Sequence, residues 1–143
     1  MFDNSPLMQT NYLLERGLDT EALRRTVIAN NISNVDVPHF RRSEVNFESE
    51  LRRVIREQED PASQLPAQMT DDRHIPFFIP REIRSVAPRV NLDYSTVMRN
   101  DGNNVDIEKE MVDAAKNMMR YNAFVTSINS NGRLLRIAMR SGA

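Results

Sequence analysis

The stretch that most constrains the fold is the C-terminal segment from Val105 to Arg140, which contains no proline. Apolar or aromatic residues recur along it in steps of four and three, with one glycine among them. The positions on this seven-residue repeat are Ile107, Met111, Ala114, Met118, Tyr121, Val125, Ile128, Gly132, Leu135 and Met139. A repeat held this long predicts a coiled-coil seam rather than an ordinary core-facing helix. At 1.5 Å per residue the helix is expected to run about 50 Å, and its seam requires a partner helix.

Both ends of this segment carry the signals of helix ends. Asp106 is placed to cap the N-terminus, and Glu110 lies in the first turn, where the helix dipole favours negative charge. Arg133, Arg136 and Arg140 lie near the C-terminus, where the dipole favours positive charge. The sequence therefore predicts that the helix begins after Asp106.

The N-terminal segment is the expected partner. It starts at Ser5-Pro6, a hydroxyl cap followed by a proline in the first helical position. A seven-residue frame runs through Leu7, Leu14, Leu18, Ile28 and Ile32. Glu21 and Arg25 interrupt the frame and are spaced to pair with each other. Because both segments also carry apolar residues off the frame, each needs more than one neighbour, which indicates an oligomer or a filament.

The middle of the chain is expected to be irregular. The first helix should end near Asn34, because the residue before Pro38 is disfavoured in a helix. Asn46 then precedes a short amphipathic helix. Five of the seven prolines fall in residues 60–89, which predicts an extended excursion whose only apolar anchor is residues 74–79. Residues 90–99 are expected to form a short strand or arm, and residues 100–103 a turn.

These patterns predict a mainly α fold. Two long terminal helices pair as an antiparallel-type coiled coil or helical bundle, around a proline-rich middle segment with a short helix or extended arm. The expected division is residues 1–35 for the N-terminal helix, 36–104 for the middle segment and 105–143 for the C-terminal helix.

Composition argues against most chemical functions. The net charge of −1 gives no basic footprint for nucleic acid, and the absence of cysteine excludes disulfides. The N-terminus lacks the pattern of a secretory signal peptide, and no apolar run is long enough to span a membrane. His39 and His74 stand apart, without carboxylates at ligand spacing. We therefore expect no catalytic, cofactor-binding or metal-binding residues.

Two segments carry a more specific pattern than periodicity. Residues 29–41, which read ANNISNVDVPHFR, resemble the ANNIANxDTPGYK motif of flagellar rod and hook proteins. The motif positions carried over are Ala29, Asn30, Asn31, Ile32, Asn34, Asp36, Pro38 and Phe40. Residues 101–111, which read DGNNVDIEKEM, resemble the stretch that opens the C-terminal helix in the same family. The chain thus resembles the flagellar basal-body rod proteins, most nearly the short proximal members.

The resemblance implies a structural subunit that assembles helically with copies of itself in the periplasmic rod of the bacterial flagellum. It implies export through the flagellar type III apparatus without a cleaved signal. The implied partners are the FliE adaptor, the other rod proteins and the flagellar export gate. One departure concerns the turn, because His39 stands where the family has a glycine with easy access to positive φ.

Two alternatives remain open on the sequence. A soluble coiled-coil adaptor or export chaperone that binds a partner helix would explain the heptads, although not the asparagine-rich motif. An enzyme would have to use Asp71, Asp72 and His74, which no glycine-rich or nucleophile motif supports.

Overall fold

The computed structural model describes residues 6–59, 68, 70, 71, 73–75, 81–95 and 97–141 of the chain. Three helices dominate these residues. The elements in chain order are α1 (Pro6–Ser33), β1 (Ser43–Asn46), α2 (Glu48–Glu59), a short 3-10 helix (Ile83–Ser85), β2 (Arg89–Leu92) and α3 (Ile107–Ser141). The chain is mainly helical, as expected, and α1 packs against α3.

The ends of the long helices follow the predicted local signals. α1 ends at Ser33, and the Asn34 side chain donates to the Asn30 carbonyl at 2.7 Å, which satisfies an orphan acceptor of the last turn. At the start of α3, the Asp106 carboxylate accepts from the backbone N–H groups of Glu108 at 3.0 Å and Lys109 at 3.3 Å. The predicted N-cap is therefore confirmed.

Two compact units make up the chain. The first comprises residues 1–45 and 90–143, and the second comprises residues 46–89. In the first unit, α1 and α3 form the larger part, and β1 pairs with β2 near the unit boundary. The three-part division predicted from the sequence stays a prediction. Among the described residues, no helix is long and apolar enough to cross a membrane.

The second unit has a small core of its own. Phe47, Val54 and Val86 are buried together, and Leu51 and Ile83 pack against them. The expectation that residues 74–79 provide the only apolar anchor of the proline-rich segment is wrong, because Ile83 and Val86 lie in that segment and contact this core. Residues 60–67, 69, 72 and 76–80 lie outside the described residues, so the expected excursion, most of the anchor and Asp72 cannot be placed.

Candidate functional site: a polar junction and an apolar groove

The asparagine-rich motif ends in a buried polar junction. Asn31 is fully buried, and its side chain meets the backbone of Ser43 in two hydrogen bonds, accepting from the N–H at 3.0 Å and donating to the carbonyl at 2.9 Å. Its amide also donates to Glu110 Oε2 at 3.2 Å. Asn31 therefore fixes the start of β1 and the first turn of α3 against the end of α1.

Asn103 completes the junction from the other motif. Its side-chain amide lies within hydrogen-bonding distance of the carbonyls of Asn34 at 3.1 Å, Val35 at 3.0 Å and Val37 at 2.8 Å, all just beyond α1. Its Oδ1 accepts from the Val105 N–H at 2.7 Å. Because this side chain is fully buried, its hydrogen bonds are made without competition from water.

The neighbouring Asn104 connects two further segments. Its Oδ1 accepts from the Arg42 N–H at 2.7 Å, and its amide donates to the Asp93 carbonyl at 2.8 Å. Asn103 and Asn104 belong to the stretch, residues 101–111, that resembles a family sequence. Together they hold the motif turn, β1 and the segment after β2 in place.

A buried charge pair lies at the centre of the junction. The Arg42 guanidinium donates to Glu110, whose carboxylate is fully buried, and also pairs with Glu44. Asp113 and Asp93 lie 3.6 and 3.9 Å from the same guanidinium. Removing one partner of a buried pair leaves an uncompensated charge, which costs several kcal/mol. The junction is therefore a specific arrangement rather than a general polar surface.

The turn near the end of the motif has a residue in the left-handed conformation where the family has glycine. His39 has a φ of 59°, and its N–H donates to the Asp101 carbonyl at 3.1 Å. Gly102, opposite, has a φ of 80°, and a Cβ there would lie 2.9 Å from His39 Nδ1. Without the family glycine, His39 itself adopts the strained left-handed conformation. Gly102, which has no side chain, leaves room for the imidazole ring of His39.

Three residues spaced seven apart on α3, two asparagines and a phenylalanine, join it to α1. Asn117 donates to the Glu21 carbonyl at 2.8 Å and to the Glu21 carboxylate, and Asn131 donates to Asn11 Oδ1 at 2.8 Å. Between them, the Phe124 ring lies against Gly17, where a Cβ would stand 3.0 Å from Cε2. Glu21 pairs with Arg24 in its own helix, rather than with Arg25 as expected.

The predicted seam of α3 lies beside this interface. Met111, Met118 and Val125 each follow an interface residue directly, so they are displaced by about 100° around the helix. A groove of about 580 Å³ opens there between α1 and α3. Its lining includes Ile28 and Ile32 of the predicted α1 seam and Ala114, Met118 and Tyr121 of the predicted α3 seam. The structure thus brings parts of both predicted seams together across one groove.

The remaining seam residues vary in exposure. Leu7, Leu14, Leu18, Val125, Ile128 and Gly132 are half-buried, whereas Ile107, Met111, Leu135 and Met139 are exposed. Met118 and Tyr121 are exposed within the groove, with 68% and 42% of their surfaces accessible. Much of the apolar repeat that predicted a coiled coil is therefore not covered within one chain.

The motif residues divide between the junction and the surface. Asn31 is buried and Asn34 caps α1, whereas Ala29 and Ile32 line the groove. Asn30, Asp36 and Pro38 are exposed, and Phe40 is half-buried. Among the described residues, no group of three or more histidine, aspartate or glutamate side chains is placed to hold a metal ion.

Sequence reasoning passed over the residues that carry the junction. The sequence gives no sign that Arg42 is buried, and it relates Glu110 only to the helix dipole. Only the resemblance of residues 29–41 and 101–111 to family stretches indicates this region, because the burial of a polar residue depends on partners that lie far away in sequence.

The chain is similar to curated bacterial proteins over most of its length. It is 44% identical over 112 residues to the flagellar basal body rod protein FlgB of Borrelia hermsii, covering 78% of this chain and 82% of the relative. The chain belongs to the FlgB family of flagellar basal body rod proteins. FlgB of Bacillus subtilis is 33% identical over 129 residues, covering 90% of this chain and 92% of that protein. No family model matches the chain.

FlgB membership confirms the family resemblance. The relatives are rod proteins of the flagellar basal body, so the chain is a structural subunit rather than an enzyme, as the sequence indicated. Both segments that carried the resemblance meet in the polar junction of this FlgB-family chain.

Proposed function

We propose that this chain is a structural subunit of the proximal rod of the flagellar basal body, which polymerises helically through its terminal helices. The observation that carries the proposal is the open groove between α1 and α3, lined by residues of both heptad frames. An apolar groove between two helices is the shape into which a third helix packs. We infer that a helix of a neighbouring subunit occupies it, with residues 1–35 and 105–143 forming the assembly core.

The exposed side chains of α3 support this assembly. Met111, Met118 and Met139 are each more than 60% exposed, which is unusual for residues of this type in a monomer. Methionine side chains adapt to irregular partner surfaces because they are unbranched and flexible. A partner that covers them would remove apolar surface from water. Each Å² of this surface contributes roughly 25 cal/mol of favourable free energy to association of the subunits.

The further partners rest on the family resemblance. We propose that the subunit joins the FliE adaptor and the flagellar export gate at its base to the other rod proteins above it. We propose also that it reaches the periplasmic rod through the flagellar export apparatus without a cleaved signal. Residues 36–104 would then face neighbouring proteins around the paired helices.

Two adjacent methionines test the groove. Met118 lines it, whereas Met119 is equally exposed and does not line it. Met118→Asp should abolish rod assembly and swimming, because an unpaired carboxylate would have to be buried beneath the neighbouring helix. Met119→Asp, with the same change of charge and chemistry, should retain most of both.

Motility plates and electron microscopy of basal bodies measure the outcome. Circular dichroism of the two variants and wild type at the same low concentration checks that the variant monomers keep the helical content of the wild-type monomer. Normal rods in cells carrying Met118→Asp would contradict the assignment of the groove as the assembly surface.

A further inference from the structure

All the methionine side chains in the described part of the chain are exposed. Between 48% and 69% of the surface of each is accessible. The six residues are Met8, Met98, Met111, Met118, Met119 and Met139. Methionine is among the residues most often buried in proteins, so this distribution is unusual. Because the chain contains no cysteine, methionine thioethers are the only sulfur groups that it offers to an oxidant.

Met118 differs from the other five in its position. It lines the groove between α1 and α3, together with Ile28, Ile32 and Tyr121. With 68% of its surface accessible, its side chain is open to a small oxidant while the groove is empty. Met119, the next residue of α3, is 64% accessible and does not line the groove. The two residues therefore have nearly equal access to an oxidant but lie on different surfaces.

A peroxide oxidises a methionine thioether by two electrons. The sulfur lone pair attacks one oxygen of the peroxide, so that an S–O bond forms as the O–O bond breaks. With hydrogen peroxide, the proton on the attacked oxygen passes to the departing hydroxide, which leaves as water. Sulfur is oxidised, the peroxide is reduced, and the product is methionine sulfoxide. The reaction therefore places a polar S=O group in a side chain that had been apolar.

We propose that Met118 is an oxidation site at which peroxides control whether the free subunit can assemble. In the free subunit the groove is open, and the thioether can be oxidised. A neighbouring helix whose apolar face fits that thioether offers no hydrogen-bond donor to the sulfoxide oxygen. Burying a polar group without a hydrogen bond is unfavourable, so the oxidised groove should bind the helix more weakly.

The oxidation acts in one direction along the assembly process. Once a helix fills the groove, it covers Met118 and keeps peroxide away from the sulfur. Oxidation therefore stops subunits that have not yet assembled and spares those already in the rod. The block is also reversible, because methionine sulfoxide reductases return the sulfoxide to the thioether. This inference rests on the proposed function and adds a form of regulation to the same groove.

The first test compares the access of peroxide to Met118 before and after assembly. Wild-type protein is treated with hydrogen peroxide as a dilute free subunit and as sedimented assemblies, and peptide mass spectrometry follows each methionine. In the free subunit, Met118 and Met119 should be oxidised at similar rates. In the assemblies, oxidation of Met118 should be at least about tenfold slower, because reactivity follows exposure. Equal rates at Met118 in the two states would overturn the proposal.

The second test uses two complementary variants. Met118→Leu conserves volume and cannot be oxidised. After peroxide treatment, wild type should need a concentration at least about tenfold higher to form sedimenting assemblies, whereas Met118→Leu should need no more than about threefold. The matched control, Met111→Leu/Met119→Leu/Met139→Leu, keeps Met118 as the only methionine of α3 and should be as sensitive as wild type. Sulfoxides outside the groove matter less, because a flexible side chain can turn the oxygen toward water.

The outcomes separate this inference from the proposed function. Treated wild type should regain assembly after incubation with methionine sulfoxide reductases, which shows that the chain has not been damaged in another way. If treated Met118→Leu is as defective as treated wild type, or if the triple variant resists peroxide, the role of Met118 is overturned while assembly of the untreated protein stands. If untreated wild type forms no assembly under any condition, self-polymerisation and the regulation that depends on it both fail.

Discussion

Single buried side chains hold the junction together in ways that their residue types alone do not show. Asn103 offers one amide to three carbonyls beyond α1, and Asn31 pairs with Ser43 as a neighbouring strand would. A buried asparagine suits these positions because it presents a donor and an acceptor together. Aspartate has the same shape but cannot donate a hydrogen bond when ionised. A side chain of the right shape would therefore not be enough to make these contacts.

Asp93 provides a pH test at the residue scale. The hydroxyl and backbone N–H of Ser95 donate to its carboxylate, and with Arg42 nearby they lower the pKa of Asp93 below its ordinary value of 3.8. Because the folded-state pKa is the lower one, the stabilising contribution is present above 3.8 and is lost as pH falls through the folded pKa. Urea unfolding of wild type and Asp93→Asn should differ near neutral pH and converge in acid.

Ser95→Ala removes the larger cause of this shift and should reproduce part of the same pH dependence. A stability difference between wild type and Asp93→Asn that stays constant into the acid range would show that the charge of Asp93 is not responsible.

Two glycines give opposite expectations. Gly102→Ala should destabilise the fold by about 1–3 kcal/mol, because φ is 80° there and the new Cβ would stand 2.9 Å from His39 Nδ1. Gly132→Ala should stabilise it by about 0.5–1 kcal/mol, because the site is helical and, in the part of the chain that the structure describes, no atom beyond the adjoining helix backbone lies within 4 Å of the new Cβ. Chemical denaturation measures both. Equal effects would mean that the paired left-handed residues are not needed for the turn.

At the scale of the elements, the α1–α3 contact depends on a close approach at Gly17. Gly17→Ala should cost about 1 kcal/mol, because a Cβ 3.0 Å from the Phe124 ring outweighs the gain in helix propensity. In a Phe124→Leu background the same change should become neutral or stabilising. A double-mutant cycle measured by thermal unfolding gives the coupling free energy, and additive effects would exclude the contact.

The elements also differ in how their apolar residues are used. α2 buries Val54 in the small core of the second unit, as a short amphipathic helix should. α3 instead turns Glu110 and Asn117 toward α1 and leaves all four of its methionines exposed. Hydrogen-bonded polar side chains at such positions set which helices pair and in which register, at some cost in stability.

At the scale of the whole molecule, one chain cannot cover both apolar faces of its long helices, so helix formation should depend on assembly. Isolated helices gain most of their stability from tertiary packing. We expect the helical circular dichroism signal to rise with protein concentration. In a dilute monomer, hydrogen exchange should be slowest around Asn31 and Glu110 and fastest over residues 133–140, where every side chain is exposed. Uniform protection along both helices would contradict this prediction.

The sequence by itself determined the helical elements and the family. A sustained seven-residue repeat without proline specifies a long helix. Asp106 marks the start of α3 through local hydrogen bonding, and the residue before Pro38 limits the end of α1 through sterics. The asparagine-rich segment carries the resemblance to the rod proteins in its residues alone. These signals are local, so they can be read along the chain.

Only the tertiary structure decided which face of α3 meets α1. Periodicity groups Met111 and Met118 on one face, but it does not show that Glu110 and Asn117, each one position earlier, lie inside. Those side chains can be buried because Asn31, Arg42 and Glu21 meet them from distant parts of the chain. The free energy of burying a polar group depends on its partner, and that partner exists only once the chain has folded.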